Sequence, residues 1–195
     1  MTLAQLQAIL PLAGARAAVF LDPLNRAMAE FGIDNPARQA AFLAQAGYES
    51  AQLRYVRELA SGADYEGRAD LGNVVLGDGV RFKGRGLLQI TGRANYAACG
   101  KALGLDLLAQ PALLELPPLA CRSAGWFWQA HGLNGLADDG DQLRVTQRVN
   151  GGRNGLVGRL ALFKVAWQVL AVGAASPEPQ ACPAPGIRRA PQLRS

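Results

Sequence analysis

Apolar residues recur at helical spacing along most of the chain, and polar or glycine-rich stretches separate these segments. The segment TLAQLQAIL predicts a first helix with Thr2 as its N-cap. A second predicted helix covers about residues 16–31 and is closed by Gly32. Asn35 as N-cap and Pro36 as first helical residue predict a third helix, and its small and apolar residues indicate a central, well-buried position.

The pattern changes between residues 61 and 86, where seven glycines and several acids predict a long loop with a short extended VRF piece. Helical patterns return at residues 94–105, 108–133, 141–152 and 156–170. Residues 171–195 are rich in Pro, Ala and Ser and predict a disordered tail after one domain of residues 1–170. The predicted fold class is mainly α, or α+β with a minor extended element.

The composition fits one globular domain. Of the 195 residues, 50% are hydrophobic and 18% are charged, which is enough for a core and argues against global disorder. No apolar run reaches the roughly 18–20 residues that cross a bilayer, so we expect no stable membrane insertion. The apolar N-terminus lacks a basic segment and is interrupted by Pro11, which predicts synthesis in the cytoplasm without a signal peptide.

Residue types that hold metals or build hydrolase triads are scarce. Cys99, Cys121 and Cys182 are widely spaced and odd in number, which predicts reduced, mostly buried thiols. His131 is the single histidine, so we expect no metal site or Ser-His-Asp site of the usual kind, and no cofactor. The net charge of +5 suits an anionic partner, but no dense basic stripe or recognition motif indicates nucleic acid.

Two glutamates, Glu49 and Glu58, follow the predicted central helix. Their spacing would put them on opposite faces of one continuous helix at about 100° per residue, so they can cooperate only across a break. Residues 50–52 do not continue the apolar pattern and predict such a break. Glycoside hydrolysis needs two carboxyl groups, and Glu49 after the apolar helix suits the acid, whereas Glu58 suits the base. The alternative is two solvated acids beside arginines.

Three separated motifs change the balance between these alternatives. AFLAQAGYES, then FKGRGLLQITGRANY, then RVNGG resemble, in this order, the chitinase-like domains of glycoside hydrolase family 19. The resemblance is strongest to the phage and prophage endolysins of that family and covers most of residues 30–170. It implies a mainly helical, two-lobed domain of the lysozyme superfamily with a central cleft. It also implies cleavage, with inversion, of β-1,4 bonds next to N-acetylated sugars in chitin or peptidoglycan.

The resemblance assigns roles to individual residues. Glu49 matches the general acid, Glu58 matches the general base of compact bacterial members, and Thr91 matches the hydroxyl that helps hold the attacking water. Arg159 lies where the family often has a basic residue tied to the carboxylates. The remaining matches are substrate-contacting polar positions: Gln89, Asn95 and Asn150.

Some assignments leave alternatives open. The family commonly has His where this chain has Tyr48, which we count among the substrate-contacting positions and which changes the local electrostatics. Glu66 in the glycine-rich loop is a rival for the base, or else a structural partner of Arg68. Asn150 before two glycines also fits a helix C-cap. The aromatic residues 126–128 point in different directions on a helix, so most of them should lie in the core.

We therefore expect a monomeric endolysin that hydrolyses the β-1,4 bonds of peptidoglycan without a metal. In such an enzyme, the resemblance implies that a holin pore gives access to the cell wall. The alternatives are a chitinase acting on poly-GlcNAc, a lytic transglycosylase using one glutamate, and a glycan-binding protein with a weakened site. A basic helical nucleic-acid binder is the remaining alternative.

Overall fold

The computed structural model describes residues 1–174, and these form a mainly helical domain. No helix in this range is long and apolar enough to cross a membrane. Short 3-10 turns and loops connect the helices. The helices are α1 (Leu3–Ile9), α2 (Arg16–Glu30), α3 (Pro36–Glu49), α4 (Asp78–Arg81), α5 (Arg93–Leu103), α6 (Pro117–Ala130), α7 (Leu133–Asp138), α8 (Gln142–Asn150) and α9 (Leu156–Ala174).

The predicted helix starts are confirmed by their hydrogen bonds. The Thr2 hydroxyl accepts from the Gln5 amide at 3.2 Å, and the Gln5 side chain accepts from the Thr2 amide at 2.8 Å. The Asn35 side chain accepts from the Arg38 amide at 2.9 Å. These bonds satisfy amides that have no partner within the first turn, so the helices begin where the capping residues predict.

Helix α3 is the central helix, as its composition predicts. Residues 40–47 are all buried, and the small side chains among them allow close packing along α9. Helices α2 and α6 pack together beside it, and Phe42 of α3 meets Trp128 of α6 edge-on with ring centroids 5.4 Å apart. Trp128 is fully buried, whereas Trp126 and Phe127 are partly buried against the same core.

Helix α3 ends abruptly at Glu49, and this break positions the site. The Ser50 hydroxyl donates to the carbonyl of Ala46 at 2.6 Å and accepts from the amide of Leu53 at 2.8 Å. The three residues after Ser50 have positive φ angles of 48°, 58° and 67°. A run of non-glycine residues in the left-handed region cannot continue a right-handed helix, so the chain turns away here.

Two predictions about regular structure are wrong. The VRF piece is not extended, because Val80 and Arg81 belong to the short helix α4. Extended pairing within residues 1–174 is confined to isolated bridges of Arg85 with Arg57 and Ile90. Helix α9 also continues through residues 171–174, which the composition assigned to the tail. The rest of the predicted tail, residues 175–195 with Cys182, lies outside the described residues.

Candidate active site

Glu49 is the last residue of α3, and its carboxylate is tied to the neighbouring helix α9. Its Oε1 accepts a short hydrogen bond from Nη2 of Arg159, and the two side chains form an ion pair. The Glu49 side chain is 22% exposed, whereas that of Arg159 is 3% exposed. The guanidinium therefore approaches from the protein interior and leaves one side of the carboxyl group open to solvent.

Arg159 is held by acceptors from helix α3 and from the loop before α9. Its Nη1 donates to Oε1 of Gln45 at 2.5 Å, and the Gln45 amide in turn donates to the Thr146 hydroxyl at 3.1 Å. Its Nε lies 3.4 Å from the carbonyl oxygen of Asn154. A guanidinium has five donors in a fixed plane, so these acceptors fix both its position and its orientation.

Glu58 lies in the loop after the break, and both of its carboxylate oxygens accept hydrogen bonds. The hydroxyl of Tyr65 donates to Oε1 at 2.9 Å, and the amide of Gly84 donates to Oε2 at 3.1 Å. The Glu58 amide also donates to the Gly84 carbonyl at 2.9 Å, which fixes the backbone. These donors hold the carboxyl group in one orientation.

Tyr65 is suited to remain a donor to Glu58 near neutral pH. Burial raises the pKa of Tyr65, and the hydrogen bond to Glu58 raises this pKa further. The unperturbed value is already about 10. The phenol therefore keeps its proton across the physiological range.

Both glutamates line one open cleft of about 320 Å³. The break after α3 gives the chain the change of direction that an unbroken helix would not allow. Arg57 adds a cation to the cleft, and its side chain is 57% exposed. The complete lining is Glu49, Tyr55, Arg57, Glu58, Leu59, Ala60 and Gln89.

Thr91 and Gln89 converge on Glu58 around a glycine. A Cβ at Gly84 would lie 3.3 Å from both Oε2 of Glu58 and Oγ1 of Thr91, and 2.7 Å from Oε1 of Gln89. The missing side chain therefore leaves room for three polar groups to approach one another. The Thr91 hydroxyl donates to the Gln89 carbonyl at 2.9 Å, and the Gln89 amide group donates to the carbonyl of Gly86 at 2.8 Å.

The two predicted asparagines make local contacts. Asn95 is exposed, and its amide donates to the Thr91 carbonyl at 2.8 Å. Asn150 ends α8, accepts from the amide of Gly152 at 2.8 Å and donates to the carbonyl of Asn154 at 2.6 Å. Asn150 thus orders the loop that also supplies a carbonyl to Arg159, which agrees with the capping alternative.

Glu66, the rival for the base, binds backbone in its own loop. Its oxygens accept from the amides of Gly77 at 2.7 Å and Gly79 at 2.8 Å. Arg68 does not pair with Glu66 but binds Asp70 through two hydrogen bonds of 2.7 and 2.6 Å. These contacts give Glu66 a loop-ordering role, and it is absent from the lining of the cleft.

Sequence analysis missed two residues that hold the site: Gln45, which binds Arg159, and Tyr65, which binds Glu58. Gln45 lies four residues before Glu49, so helical spacing alone puts both on one face of α3 and could have indicated it. Tyr65 carried no such signal, because its hydroxyl reaches Glu58 across an irregular loop. Of the three cysteines, Cys99 and Cys121 are free and buried, and burial raises the pKa of the Cys99 thiol to about 12.

Comparisons with known proteins all find relatives of the same family. A family model described as "Chitinase class I", of glycoside hydrolase family 19, matches residues 29–136. A glycosyl hydrolase family 19 domain-containing protein of Haemophilus influenzae is 33% identical over 164 residues, which cover 68% of this chain and 80% of that protein. An endochitinase of Arabidopsis thaliana is 36% identical over 114 residues, which cover 58% of this chain but only 39% of that enzyme.

Solved structures show the same fold. Chitinase C from Streptomyces griseus superimposes with a TM-score of 0.72 at 24% identity, covering 87% of this chain and 76% of that chain. A family 19, class IV chitinase from Zea mays gives a TM-score of 0.64 at 25% identity, covering 79% of this chain and 80% of that one. The prediction of a mainly helical, lysozyme-like domain is confirmed. The chain belongs to glycoside hydrolase family 19 and is a glycoside hydrolase.

Proposed function

We propose that the chain is an endolysin that hydrolyses β-1,4 glycosidic bonds of peptidoglycan glycan with inversion. Glu49 acts as the general acid and Glu58 as the general base. The observation that carries this proposal is the shared cleft: both carboxyl groups line it, and each is held by its own partners. Hydrolysis of a glycosidic bond requires two carboxyl groups flanking that bond.

The contacts of Glu49 leave one of its carboxyl oxygens free for proton transfer. Arg159 binds Oε1, and within residues 1–174 no protein group forms a hydrogen bond to Oε2. Oε2 is therefore the atom that carries the proton and delivers it to the glycosidic oxygen. The buried guanidinium holds the carboxyl group in one orientation, which a proton donor in a near-attack geometry needs.

The contacts of Glu58 suit the opposite task. Tyr65 and Gly84 donate hydrogen bonds to its two oxygens, and these oxygens keep lone pairs that can accept a proton from water. The hydroxyl of Thr91 and the amide of Gln89 lie beside it and supply directional hydrogen bonds for that water. In inverting enzymes the two carboxyl groups stand roughly 6.5–9.5 Å apart to leave room for it.

The bond changes follow from these roles. The water oxygen attacks the anomeric carbon while the bond from that carbon to the glycosidic oxygen breaks. Glu58 takes a proton from the water, and the proton of Glu49 goes to the departing oxygen. No covalent intermediate forms, so a β-linked sugar leaves as the α-anomer.

The charge of the molecule supports an anionic glycan as substrate. The net charge is +5, and Arg57, whose Nη1 also lies 3.7 Å from Oε2 of Glu115, brings an exposed cation to the cleft. Peptidoglycan carries carboxylates on its muramic acid and peptide substituents, whereas chitin carries none, so the positive charge attracts the former. We propose that the protein works as a monomer and stays in the cytoplasm until a holin pore releases it to the wall.

A chitinase is the second candidate function. The names of the plant and Streptomyces relatives favour it, since they are an endochitinase and chitinases. A chitin chain has the same β-1,4 linkage and N-acetyl groups, so the same pair of carboxyl groups would serve. The two candidates differ in whether the cleft requires an anionic substituent.

One digestion experiment tests both candidates. Purified peptidoglycan and chitin oligomers are treated with wild type, Glu49→Gln and Glu58→Gln, and the fragments are identified by mass spectrometry. Glu66→Gln is the matched control, because it removes the charge of the rival base. We expect hydrolysed peptidoglycan from wild type and Glu66→Gln, and loss of cleavage in the other two variants.

Three results would contradict parts of this proposal. Cleavage of chitin oligomers but not of peptidoglycan would make chitin the substrate and leave the acid and base assignments unchanged. Anhydro-sugar ends together with an active Glu58→Gln variant would indicate a transglycosylase that uses one glutamate. An inactive Glu66→Gln beside an active Glu58→Gln would move the base to Glu66.

A further inference from the structure

Tyr48 occupies an unusual position beside Glu49. It is the penultimate residue of α3 and is 42% exposed, yet its ring is packed against the start of α9. Within residues 1–174 its hydroxyl forms no hydrogen bond with another side chain or the backbone. Tyr48 therefore contacts the start of α9 by packing and not by hydrogen bonding.

Two glycines of the α9 start form a recess for this ring, which we call the glycine notch: Gly155 and Gly158. A Cβ at Gly158 would lie 2.5 Å from Cε2 of Tyr48, and a Cβ at Gly155 would overlap the other edge of the ring. Real Cβ atoms do not approach aromatic carbons so closely, so any larger residue in the notch would displace the ring.

Arg159 follows the notch directly, and its guanidinium lies over the Tyr48 ring. Its Cζ is 4.5 Å from the ring centroid, within the range of a cation–π interaction. The edge of the same guanidinium binds Gln45 and Glu49. The ring thus covers a flat face that the hydrogen bonds in the guanidinium plane cannot reach.

The geometry points to Tyr48 as a positioning residue: seated in the glycine notch, it holds the Arg159 guanidinium in the plane that orients the Glu49 carboxyl group. This role rests on the proposed function of Glu49 as general acid. An aromatic ring without a titrating group is sufficient for it, so the phenol oxygen of Tyr48 takes no part. Loss of the Tyr48 ring would expose the face of the guanidinium to water and allow the Glu49 carboxyl group a wider range of orientations.

The kinetic test compares Tyr48→Ala, Tyr48→Phe and Gly158→Ala on the glycan that wild type cleaves. We expect kcat to fall about tenfold in Tyr48→Ala and in Gly158→Ala, with KM within about twofold, since a cation–π contact of this kind contributes modestly. Tyr48→Phe should restore kcat to within about threefold of wild type. Gly135→Ala, a helical glycine in α7 with no atom within 4 Å of its Cβ position, is the control and should match wild type.

A histidine variant adds a pH-dependent measurement of kcat that a purely structural role of Tyr48 would not change. In Tyr48→His a neutral imidazole can stack on the Arg159 guanidinium, whereas a protonated imidazole carries the same charge as the guanidinium and repels it. The kcat of this variant should therefore drop as the pH falls through about 6.5, the unperturbed pKa of histidine. Glu49, which binds the same guanidinium, would partly offset the repulsion. Wild type, which has no histidine at this position, should lack this additional step.

A spectroscopic measurement keeps this inference separate from the proposed function. The Nε–H resonance of Arg159, identified by its loss in Arg159→Lys, should carry a ring-current shift in wild type and Tyr48→Phe and lose it in Tyr48→Ala. An unchanged resonance in Tyr48→Ala, or equal kcat in all variants, would overturn the positioning role. A normal resonance pattern in a protein that cleaves no glycan would instead refute the proposed function alone.

Discussion

The hydrogen bond from Tyr65 to Glu58 offers a sharp test of the base assignment. Tyr65→Phe removes one oxygen atom, the donor that lies 2.9 Å from Oε1 of Glu58. The Gly84 amide still binds the other carboxylate oxygen at 3.1 Å. The variant therefore weakens the hold on Glu58 without removing it.

The structure sets the size of the expected loss. Hydrogen bonds to charged groups contribute about 1.5–3 kcal/mol when they are not shared with water. Tyr65 is only partly buried, so the lower half of this range applies. We expect kcat/KM to fall roughly 13- to 45-fold, since about 1.36 kcal/mol corresponds to a factor of ten. The loss should appear throughout the pH range in which the Tyr65 phenol, whose pKa is raised, keeps its proton.

The assay is release of reducing ends from the cleaved glycan across pH 4–9. Asp64→Asn is the control, because it changes an exposed neighbour in the same 3-10 turn and leaves the hydroxyl in place. Equal activity of Tyr65→Phe and wild type, with superimposable pH profiles, would refute the reasoning. So would a loss of the same size in Asp64→Asn, since that would trace the effect to the turn.

Three further predictions follow from particular contacts. Arg159→Lys keeps the charge but not the planar fork, so kcat should fall on the order of tenfold in the same assay, while Glu49 remains in place. The hydrogen bond from Arg93 lowers the pKa of Asp78 in the folded protein. The ionised carboxylate of Asp78 therefore stabilises the fold above the unfolded pKa of about 3.9, and this stabilisation is lost as the pH falls through the folded pKa. Asp78→Asn should thus melt earlier than wild type at pH 7, and the difference in melting temperature should shrink as the pH falls below about 3.9. Phe42→Ala should cost about 3–5 kcal/mol in urea unfolding, because the ring is fully buried.

Local sequence signals were enough for most helices. Thr2 and Asn35 cap helices as predicted, and Gly151 ends α8 in the left-handed conformation. The break after Glu49 was also predictable, because residues 50–52 interrupt the apolar pattern. Each of these signals acts within one turn of chain, where propensity and hydrogen bonding agree.

Long-range contacts account for what the sequence did not reveal. The VRF piece is rich in residues that favour strands, yet Glu66 binds the amides of Gly77 and Gly79 and Asp78 pairs with Arg93, and these contacts favour a helical turn. The composition of this segment contains no information about those partners.

The residues of the candidate site likewise include some that were predicted from the sequence and some that were not. The resemblance supplied the two glutamates and Arg159, whose link to Glu49 spans 110 positions. It did not supply Tyr65 or the glycine notch. Tyr65 reaches Glu58 through an irregular loop, and the glycine notch depends on close packing of α3 against the start of α9. Neither feature can be read from residue spacing along the chain.

The stereochemistry of the first product decides whether Glu49 and Glu58 work as an inverting pair. Proton NMR during the first minutes of digestion of a soluble, β-linked glycan fragment resolves the anomeric protons before mutarotation mixes them. We expect the α-anomer first from wild type and no product from Glu58→Gln. A β-anomer appearing first, or an anhydro end, would contradict the water-activating role of Glu58 and the mechanism built on it.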